Sequence, residues 1–244
     1  MFSTSFVSEE NGQRTDHQST FFYTNCKGFG GILMYKMIAF HLDGTVAETF
    51  PVIFDSFRKI VYKYTHKRID DQTILATFGA NEIGMLNQLI PNAPDRILND
   101  FYQQYNASHA TLTEPFFGIN SLIDMLAAHH VQTPMVTGKG SVSCRISLET
   151  LGLQNRFSPI LIGSSTGPNK SENFQRLLSQ YQLASDQMAY VADTVGDIES
   201  CRAVGIDCYS AVWSKYAYVD KLQEANATIF RSVNSLNDFL KKMI

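Results

Sequence analysis

The alternation of short apolar runs with amphipathic segments after Pro115 is the feature that most constrains the fold. The apolar runs predict strands at Thr133–Val136, Ile160–Gly163, Met188–Ala192 and Asp207–Ala211. The segments around them carry apolar residues at three- and four-residue steps, which predicts helices at Ile119–Ala128, Val142–Leu151, Asn173–Tyr181 and Asp197–Val204. Repeated strand–helix units of this size indicate a parallel, doubly wound sheet.

An earlier apolar run, Met37–Phe40, predicts the first strand of the same sheet, since it ends at a polar residue and a turn-forming Asp43–Gly44 pair. The next segment, residues 49–115, shows only helical spacing, with one apolar stripe in each predicted helix. We therefore expect an α/β protein with a doubly wound parallel core, residues 34–48 and 116–244, and an inserted all-helical cap domain, residues 49–115. Such a cap would lie over the carboxyl ends of the strands, where open α/β sheets bind their ligands.

Composition and charge exclude several classes of protein. Residues 1–33 are polar and lack the basic start and apolar middle of a signal peptide, so we expect a poorly ordered extension there. A net charge of -3 argues against nucleic-acid binding, and no apolar stretch approaches the ~18 residues of a membrane span. The four cysteines form no metal-binding pair, which favours reduced thiols. These features predict a cytoplasmic protein without nucleic-acid or membrane partners. Monomer and homodimer both stay open.

Polar residues follow the predicted strands at four separate places: His41 and Asp43; Thr137 and Gly138; Lys170; Asp193 and Asp197. Asp193 and Asp197 can supply hard oxygen ligands for Mg²⁺. The hydroxyl and backbone amides of Thr137–Gly138 suit a phosphate oxygen, and Lys170 adds a charge that stabilises a transferring phosphoryl group. Taken singly, each motif is also explained as a turn, a helix cap or a surface residue. Together they favour phosphoryl chemistry, which needs such positioning and charge compensation.

In these motifs the chain resembles the haloacid dehalogenase superfamily, close to its phosphoglycolate phosphatase-like branch with a helical cap. The family's first motif, Asp-x-Asp-Gly-Thr after an apolar strand, corresponds here to His41-Leu42-Asp43-Gly44-Thr45. Thr137 matches the hydroxyl of the second motif and Lys170 the lysine of the third. Asp193 and Asp197 match the acids of the fourth motif. The resemblance runs from about residue 37 to the C-terminus and implies a Rossmann-like core.

The resemblance also implies an activity, the Mg²⁺-dependent hydrolysis of small phosphate monoesters, with a small phosphorylated metabolite as the substrate. Asp43 would be the general acid and base, and its backbone carbonyl would face the metal. Asp193 would be a magnesium ligand, and Asp197 would support the metal's coordination. The groups that hold the phosphoryl oxygens would be Thr137, Gly138 and Lys170.

His41 is the departure from the family pattern, because the first acid of the first motif is the nucleophile and a metal ligand. Imidazole is a poor ligand for Mg²⁺, which prefers oxygen. Histidine can act as a nucleophile, but its longer and differently directed ring disfavours in-line attack. Two hypotheses stay open: a phosphatase with impaired turnover, and a catalytically silent protein that binds phosphate or a metabolite.

Overall fold

The structure is a computed structural model, which describes residues 35–226 and 228–244. The extension expected at residues 1–33 lies outside the described residues. In this part of the chain no helix is both long and apolar enough to cross a membrane.

Six parallel strands form one sheet with the order β3-β2-β1-β4-β5-β6. The strands are β1 Met37–Phe40, β2 Met135–Val136, β3 Ile160–Leu161, β4 Met188–Ala192, β5 Asp207–Ala211 and β6 Ile229–Phe230. Phe40 in β1 lies opposite Met135 on one side and Val191 on the other. The predicted doubly wound parallel sheet is confirmed.

The helices fall into two groups. Those of the segment after β1 are α1 Phe50–Thr65, α2 Asp71–Leu75, α3 Glu82–Leu89 and α4 Ile97–His109. Those that alternate with the later strands, or follow them, are α5 Ile119–Ala128, α6 Ser141–Thr150, α7 Lys170–Gln180, α8 Val195–Val204, α9 Val219–Ala225 and α10 Val233–Leu240.

Strand β1 is buried on both faces, which explains its continuous apolar sequence. Because side chains alternate along a strand, Ile38 and Phe40 enter the apolar layer shared with α5, α6 and α10. Met37 and Ala39 enter the opposite layer, which is shared with α7 and α8. The sheet therefore lies between two helical layers, and its middle strand is held from both sides.

The predicted element boundaries are partly right. β4 and β5 have the predicted bounds, whereas β2 and β3 are shorter than predicted. A proline within the predicted second strand, Pro134, has no N–H to donate to a neighbouring strand, and β2 begins after it. The sequence did not predict β6, α9 or α10, because the strand pattern weakens after Ala211.

Helices α1–α4 have an apolar core of their own, separate from the layers that cover the sheet. In it the rings of Phe57 and Phe101 lie 4.8 Å apart between α1 and α4. The segment is also tied to the sheet domain, since the backbone N–H of Asn81 donates to Ser164 O at 2.8 Å. The exact limits of the cap, residues 49 and 115, stay a prediction.

The contact between α3 and the loop after β3 leaves no room for a side chain at Gly84. A Cβ there would lie 2.2 Å from Ser165 O. We expect Gly84→Ala to lower the free energy of unfolding by about 1–3 kcal/mol, because the clash outweighs the better helix propensity of alanine. Gly196→Ala in α8 is the matched control, since a Cβ there meets only Thr194 Oγ1 at 3.9 Å. Denaturant unfolding of both variants checks this, and equal effects would contradict the tight α3 contact.

Candidate functional site

The sheet order brings the predicted site residues of β1 and β4 together. His41 and Asp43 follow β1, and Asp193 follows β4, its direct neighbour in the sheet. Asp197 lies one turn into α8, and all four side chains are buried. The carboxyl ends of these strands therefore hold a compact group of three carboxylates and one imidazole.

Residues His41, Asp193 and Asp197 each offer one ligand atom, and these atoms lie within 4.8 Å of one another. His41 Nε2 is 3.9 Å from Asp193 Oδ1, and the hydroxyl of Thr45 donates to the same oxygen at 3.1 Å. The Asp197 carboxylate accepts a hydrogen bond from Thr194 Oγ1 at 2.6 Å. This geometry is suited to a single cation.

Lys170 is the first residue of α7, and its ammonium group forms an ion pair with the Asp197 carboxylate. Burial by itself would raise the pKa of Asp197, but the charge of Lys170 and the hydrogen bonds from Lys170 and Thr194 hold it below its ordinary value. Asp193 differs, because burial and the neighbouring Asp197 charge raise its pKa well above the ordinary range. The described residues place no lysine or arginine within ion-pair distance of Asp193, so this carboxylate, unlike Asp43 and Asp197, has no ion pair with a lysine.

His41 is electrically neutral in this environment. Burial and the charge of Lys170 lower its pKa from 6.5 to about 4. Its 3.9 Å approach to Asp193 is therefore not an ion pair near neutral pH. The ring Nδ1 lies 3.4 Å from Val136 O, at the end of β2. If Nδ1 carries the proton and donates to that carbonyl, Nε2 keeps a free lone pair toward the carboxylates.

Asp43 belongs to a second ion pair that the sequence analysis missed. Lys139 Nζ is 3.0 Å from Asp43 Oδ1, and the Thr49 hydroxyl also donates to this carboxylate. Burial by itself would raise the pKa of Asp43, but the charge of Lys139 and the hydrogen bonds from Lys139 and Thr49 keep it below its ordinary value. The sequence feature that could have identified Lys139 is its position, because it comes directly after Thr137–Gly138 at the end of a predicted strand.

The other phosphate-binding residues of the prediction lie beside this group. Thr137 is buried, and its hydroxyl accepts a hydrogen bond from the Lys139 backbone N–H at 3.2 Å. Gly138 packs closely on the next loop, where a Cβ at Gly163 would lie 2.1 Å from Gly138 O. Among the described residues, neither Thr137 nor Gly138 hydrogen-bonds to the carboxylates. Their place in the site rests on their position at the end of β2.

The loop after β1 is closely fitted to Asp193. Gly44 has a φ of +69°, and a Cβ there would lie 2.2 Å from Asp193 Oδ2. Trp213, which follows β5, donates from Nε1 to Thr45 O at 3.0 Å. Glycine is therefore required at position 44 both for its backbone conformation and for the close approach of the carboxylate.

The helical segment reaches the site through α3 and α4. Glu82 Oε2 accepts a hydrogen bond from the Gly140 N–H at 2.7 Å, and the Tyr102 hydroxyl donates to Glu82 Oε1 at 3.1 Å. The ammonium group of Lys139 lies 4.9 Å from the centre of the Tyr105 ring. Lys139 thus touches Asp43 on one side and the helical segment on the other.

Three features together define a class of hydrolase-like proteins. The first is a parallel α/β sheet with acids after two adjacent strands. The others are a lysine from a third strand–helix unit and an inserted helical segment that contacts the site. The sequence model of the haloacid dehalogenase-like hydrolases matches residues 38–211. The chain therefore belongs to the haloacid dehalogenase-like hydrolase family.

Relatives and solved structures agree with this assignment. The chain is 24% identical over 218 residues to a phosphoglycolate phosphatase of Chromobacterium violaceum. The alignment covers 84% of this chain and 96% of the relative. A crystal structure described as a predicted phosphoglycolate phosphatase from Haemophilus somnus superposes with a TM-score of 0.67 at 17% identity, over 84% of this chain and 97% of that one. A haloacid dehalogenase-like protein from Streptococcus pneumoniae gives a TM-score of 0.64 at 20% identity, over 84% and 98% of the two chains. At sequence identities of 17% and 20%, the similarity to these structures shows that this chain shares their fold.

The lowered pKa of His41 predicts a pH-dependent stability. The unfolded chain binds this proton near pH 6.5 and the folded protein only near pH 4, so His41 favours unfolding as the pH falls through that window. The effect is absent above about pH 6.5 and reaches at most about 3 kcal/mol at the acid end. We expect denaturant unfolding of wild type and His41→Gln to diverge by up to this amount between pH 7 and pH 4, with the wild type losing more stability.

Asp193 titrates in the opposite sense, since its pKa is raised, and it is present in both proteins. His129→Gln is the control, because that histidine is exposed at the end of α5. Parallel pH profiles for wild type and His41→Gln would contradict the assignment of a neutral, buried imidazole.

The buried Asp43–Lys139 pair predicts a strong coupling. Lys139→Met leaves a buried carboxylate without its partner and should lower the free energy of unfolding by about 3 kcal/mol. Adding Asp43→Asn should recover most of that loss, which a double-mutant cycle measures. Lys59→Met is the matched control, since the Lys59–Asp55 pair is exposed and should change stability by less than about 0.5 kcal/mol. A double variant as unstable as Lys139→Met would show that the pair is not the cause.

Proposed function

We propose that the protein binds a small phosphate monoester together with a divalent cation, as a phosphoglycolate phosphatase-like hydrolase whose turnover is impaired at His41. The observation that carries the proposal is the position of His41. Its neutral imidazole occupies the first-motif position beside Asp193 and Asp197, while the other polar groups of a phosphoryl-transfer site surround it. In this proposal the binding groups are retained and the attacking carboxylate is replaced.

The charge balance supports binding of a cation and an anion together. Asp43 is paired with Lys139 and Asp197 with Lys170, whereas among the described residues Asp193 has no lysine or arginine within ion-pair distance. A divalent cation would pair with the Asp193 carboxylate, and it would also attract a phosphate dianion. The two lysines would then face phosphoryl oxygens as point charges. Thr137 and Gly138, at the end of β2, would supply a hydroxyl and a backbone amide.

Magnesium, the expected cofactor of the family, fits this group of residues incompletely. The carboxylates of Asp193 and Asp197 and the backbone carbonyl of Asp43 are oxygen donors of the kind that Mg²⁺ prefers. The third side chain of the cluster is an imidazole, which suits softer ions. When bound, a divalent cation would polarise a phosphoryl oxygen and offset the buried negative charge.

Impaired turnover follows from two features of the residues themselves. The aspartyl-phosphate route needs a carboxylate that attacks in line, and a differently directed ring cannot meet that geometry well. The general acid must also carry a proton, yet the charge of Lys139 holds the pKa of Asp43 below its ordinary value. Asp43 is therefore ionised near neutral pH and in that state has no proton to donate to a leaving group.

A second candidate function is a catalytically silent protein that binds phosphate or a metabolite. The same His41 observation favours it, because a neutral, buried imidazole leaves the binding groups intact and removes the nucleophile. The two candidates differ in whether any turnover remains.

Restoring the family's acid tests the proposal. Wild type and His41→Asp would be assayed with Mg²⁺ against p-nitrophenyl phosphate and a panel of phosphorylated metabolites that includes phosphoglycolate. We expect His41→Asp to raise kcat/KM by about 100-fold or more, because it restores an attacking carboxylate. His41→Asn is the matched control for size and should stay near the wild-type rate.

Three outcomes separate the candidates. Weak wild-type turnover that rises in His41→Asp supports an impaired phosphatase, and no wild-type turnover with a rise in His41→Asp supports the silent protein. Wild-type turnover equal to that of His41→Asp would refute impairment. If His41→Asp is also inert, the phosphatase proposal itself is wrong.

A further inference from the structure

We propose that His41, Asp193 and Asp197 form a site that selects a borderline transition-metal dication such as Zn²⁺ over Mg²⁺. The inference rests on the proposed function only in taking this cluster as a cation site, and it requires no turnover. It concerns what the imidazole does in the cluster, beyond the loss of the carboxylate.

The first step is the donor set. One nitrogen and two carboxylate oxygens lie within 4.8 Å of one another, with His41 Nε2 only 3.9 Å from Asp193 Oδ1. Ligand atoms around an ion with bonds of ~2.1 Å lie roughly 3–4 Å apart, so small side-chain rotations complete the set. Three protein ligands leave room for a water molecule or a phosphoryl oxygen.

The second step is the orientation of the imidazole. His41 is only 7% exposed, and in the described structure Nε2 makes no hydrogen bond. Nδ1 lies 3.4 Å from Val136 O, a carbonyl that the Tyr190 hydroxyl also contacts at 2.7 Å. A histidine that ligates a metal typically donates its other ring N–H to a carbonyl or carboxylate. His41 thus has the arrangement of a metal ligand, with its free nitrogen aimed at the two acids.

The third step is the choice of ion. Imidazole suits Zn²⁺, Co²⁺, Ni²⁺ and Fe²⁺, whereas Mg²⁺ demands oxygen donors in a near-ideal octahedron. With histidine in place of aspartate, the site also loses one negative charge, which weakens the binding of a hard ion most. Lys170 forms an ion pair with Asp197, and its positive charge opposes the binding of any cation there. Because the carboxylates are partly offset in this way, the nitrogen–metal bond contributes a larger share of the binding free energy.

Nearly every protein site binds Zn²⁺ more tightly than Mg²⁺, so the informative quantity is the change in their ratio when position 41 changes. Full-length wild type, His41→Asp and Asp193→Asn would be compared by equilibrium dialysis and calorimetry with Zn²⁺ and with Mg²⁺. Visible absorption of bound Co²⁺ reports the ligand field directly. Circular dichroism confirms that each variant is folded, and His129→Ala/His130→Ala removes an exposed histidine pair that could bind zinc by itself.

We expect one Zn²⁺ per chain in wild type, a ratio of Zn²⁺ to Mg²⁺ affinity at least 10-fold lower in His41→Asp, and loss of the Zn²⁺ site in Asp193→Asn. The Co²⁺ spectrum should change in His41→Asp and be unaffected by His129→Ala/His130→Ala. An unchanged affinity ratio in His41→Asp, or Zn²⁺ binding that survives Asp193→Asn, would overturn the inference.

These outcomes are independent of the activity assay. If His41→Asp is inert as a phosphatase but Zn²⁺ selectivity follows His41, the proposed function fails and the metal inference stands. If His41→Asp is an active phosphatase and the affinity ratio does not move, the metal inference fails alone.

Discussion

The burial of three carboxylates at one edge of a parallel sheet is the constraint on which the rest of this structure depends. Asp43, Asp193 and Asp197 are almost fully enclosed, and isolated charges are very costly in such surroundings. Two of them are offset by lysines from other parts of the chain, Lys139 and Lys170. The third, Asp193, keeps a raised pKa instead. Folding therefore assembles a site in which two carboxylates have a lysine partner and the third is, by the proposal above, the one that would take a cation.

The same constraint links the helical segment to the sheet domain. Lys139 compensates Asp43 and also lies over the ring of Tyr105 in α4, while Glu82 in α3 accepts the neighbouring Gly140 N–H. A movement of the helical segment away from the strands would separate these contacts. The electrostatic state of Asp43 thus depends on Lys139, which the helical segment also contacts.

The protonation state of His41 depends on the residues around it. In water an imidazole with a pKa near 6.5 would often be charged at mildly acidic pH, but burial and the charge of Lys170 keep this one neutral. A neutral imidazole beside two acids is a poor replacement for the carboxylate that attacks phosphorus. It is a good ligand for a borderline metal ion. One side chain therefore accounts for both the proposed loss of turnover and the proposed change of metal.

The doubly wound sheet and most of the residues that meet at its edge could be predicted from the amino-acid sequence. Apolar runs such as Met188–Ala192 are buried on both faces, so their pattern depends little on the rest of the chain. His41, Asp43, Asp193 and Asp197 could be placed together because carboxyl ends of parallel strands share one edge. Only the tertiary structure decided the role of Lys139, since its partner Asp43 is distant in sequence and a lysine after a turn is usually solvated. It also decided the charge states of His41 and Asp193, because these depend on burial and on which neighbours the fold brings within a few ångströms.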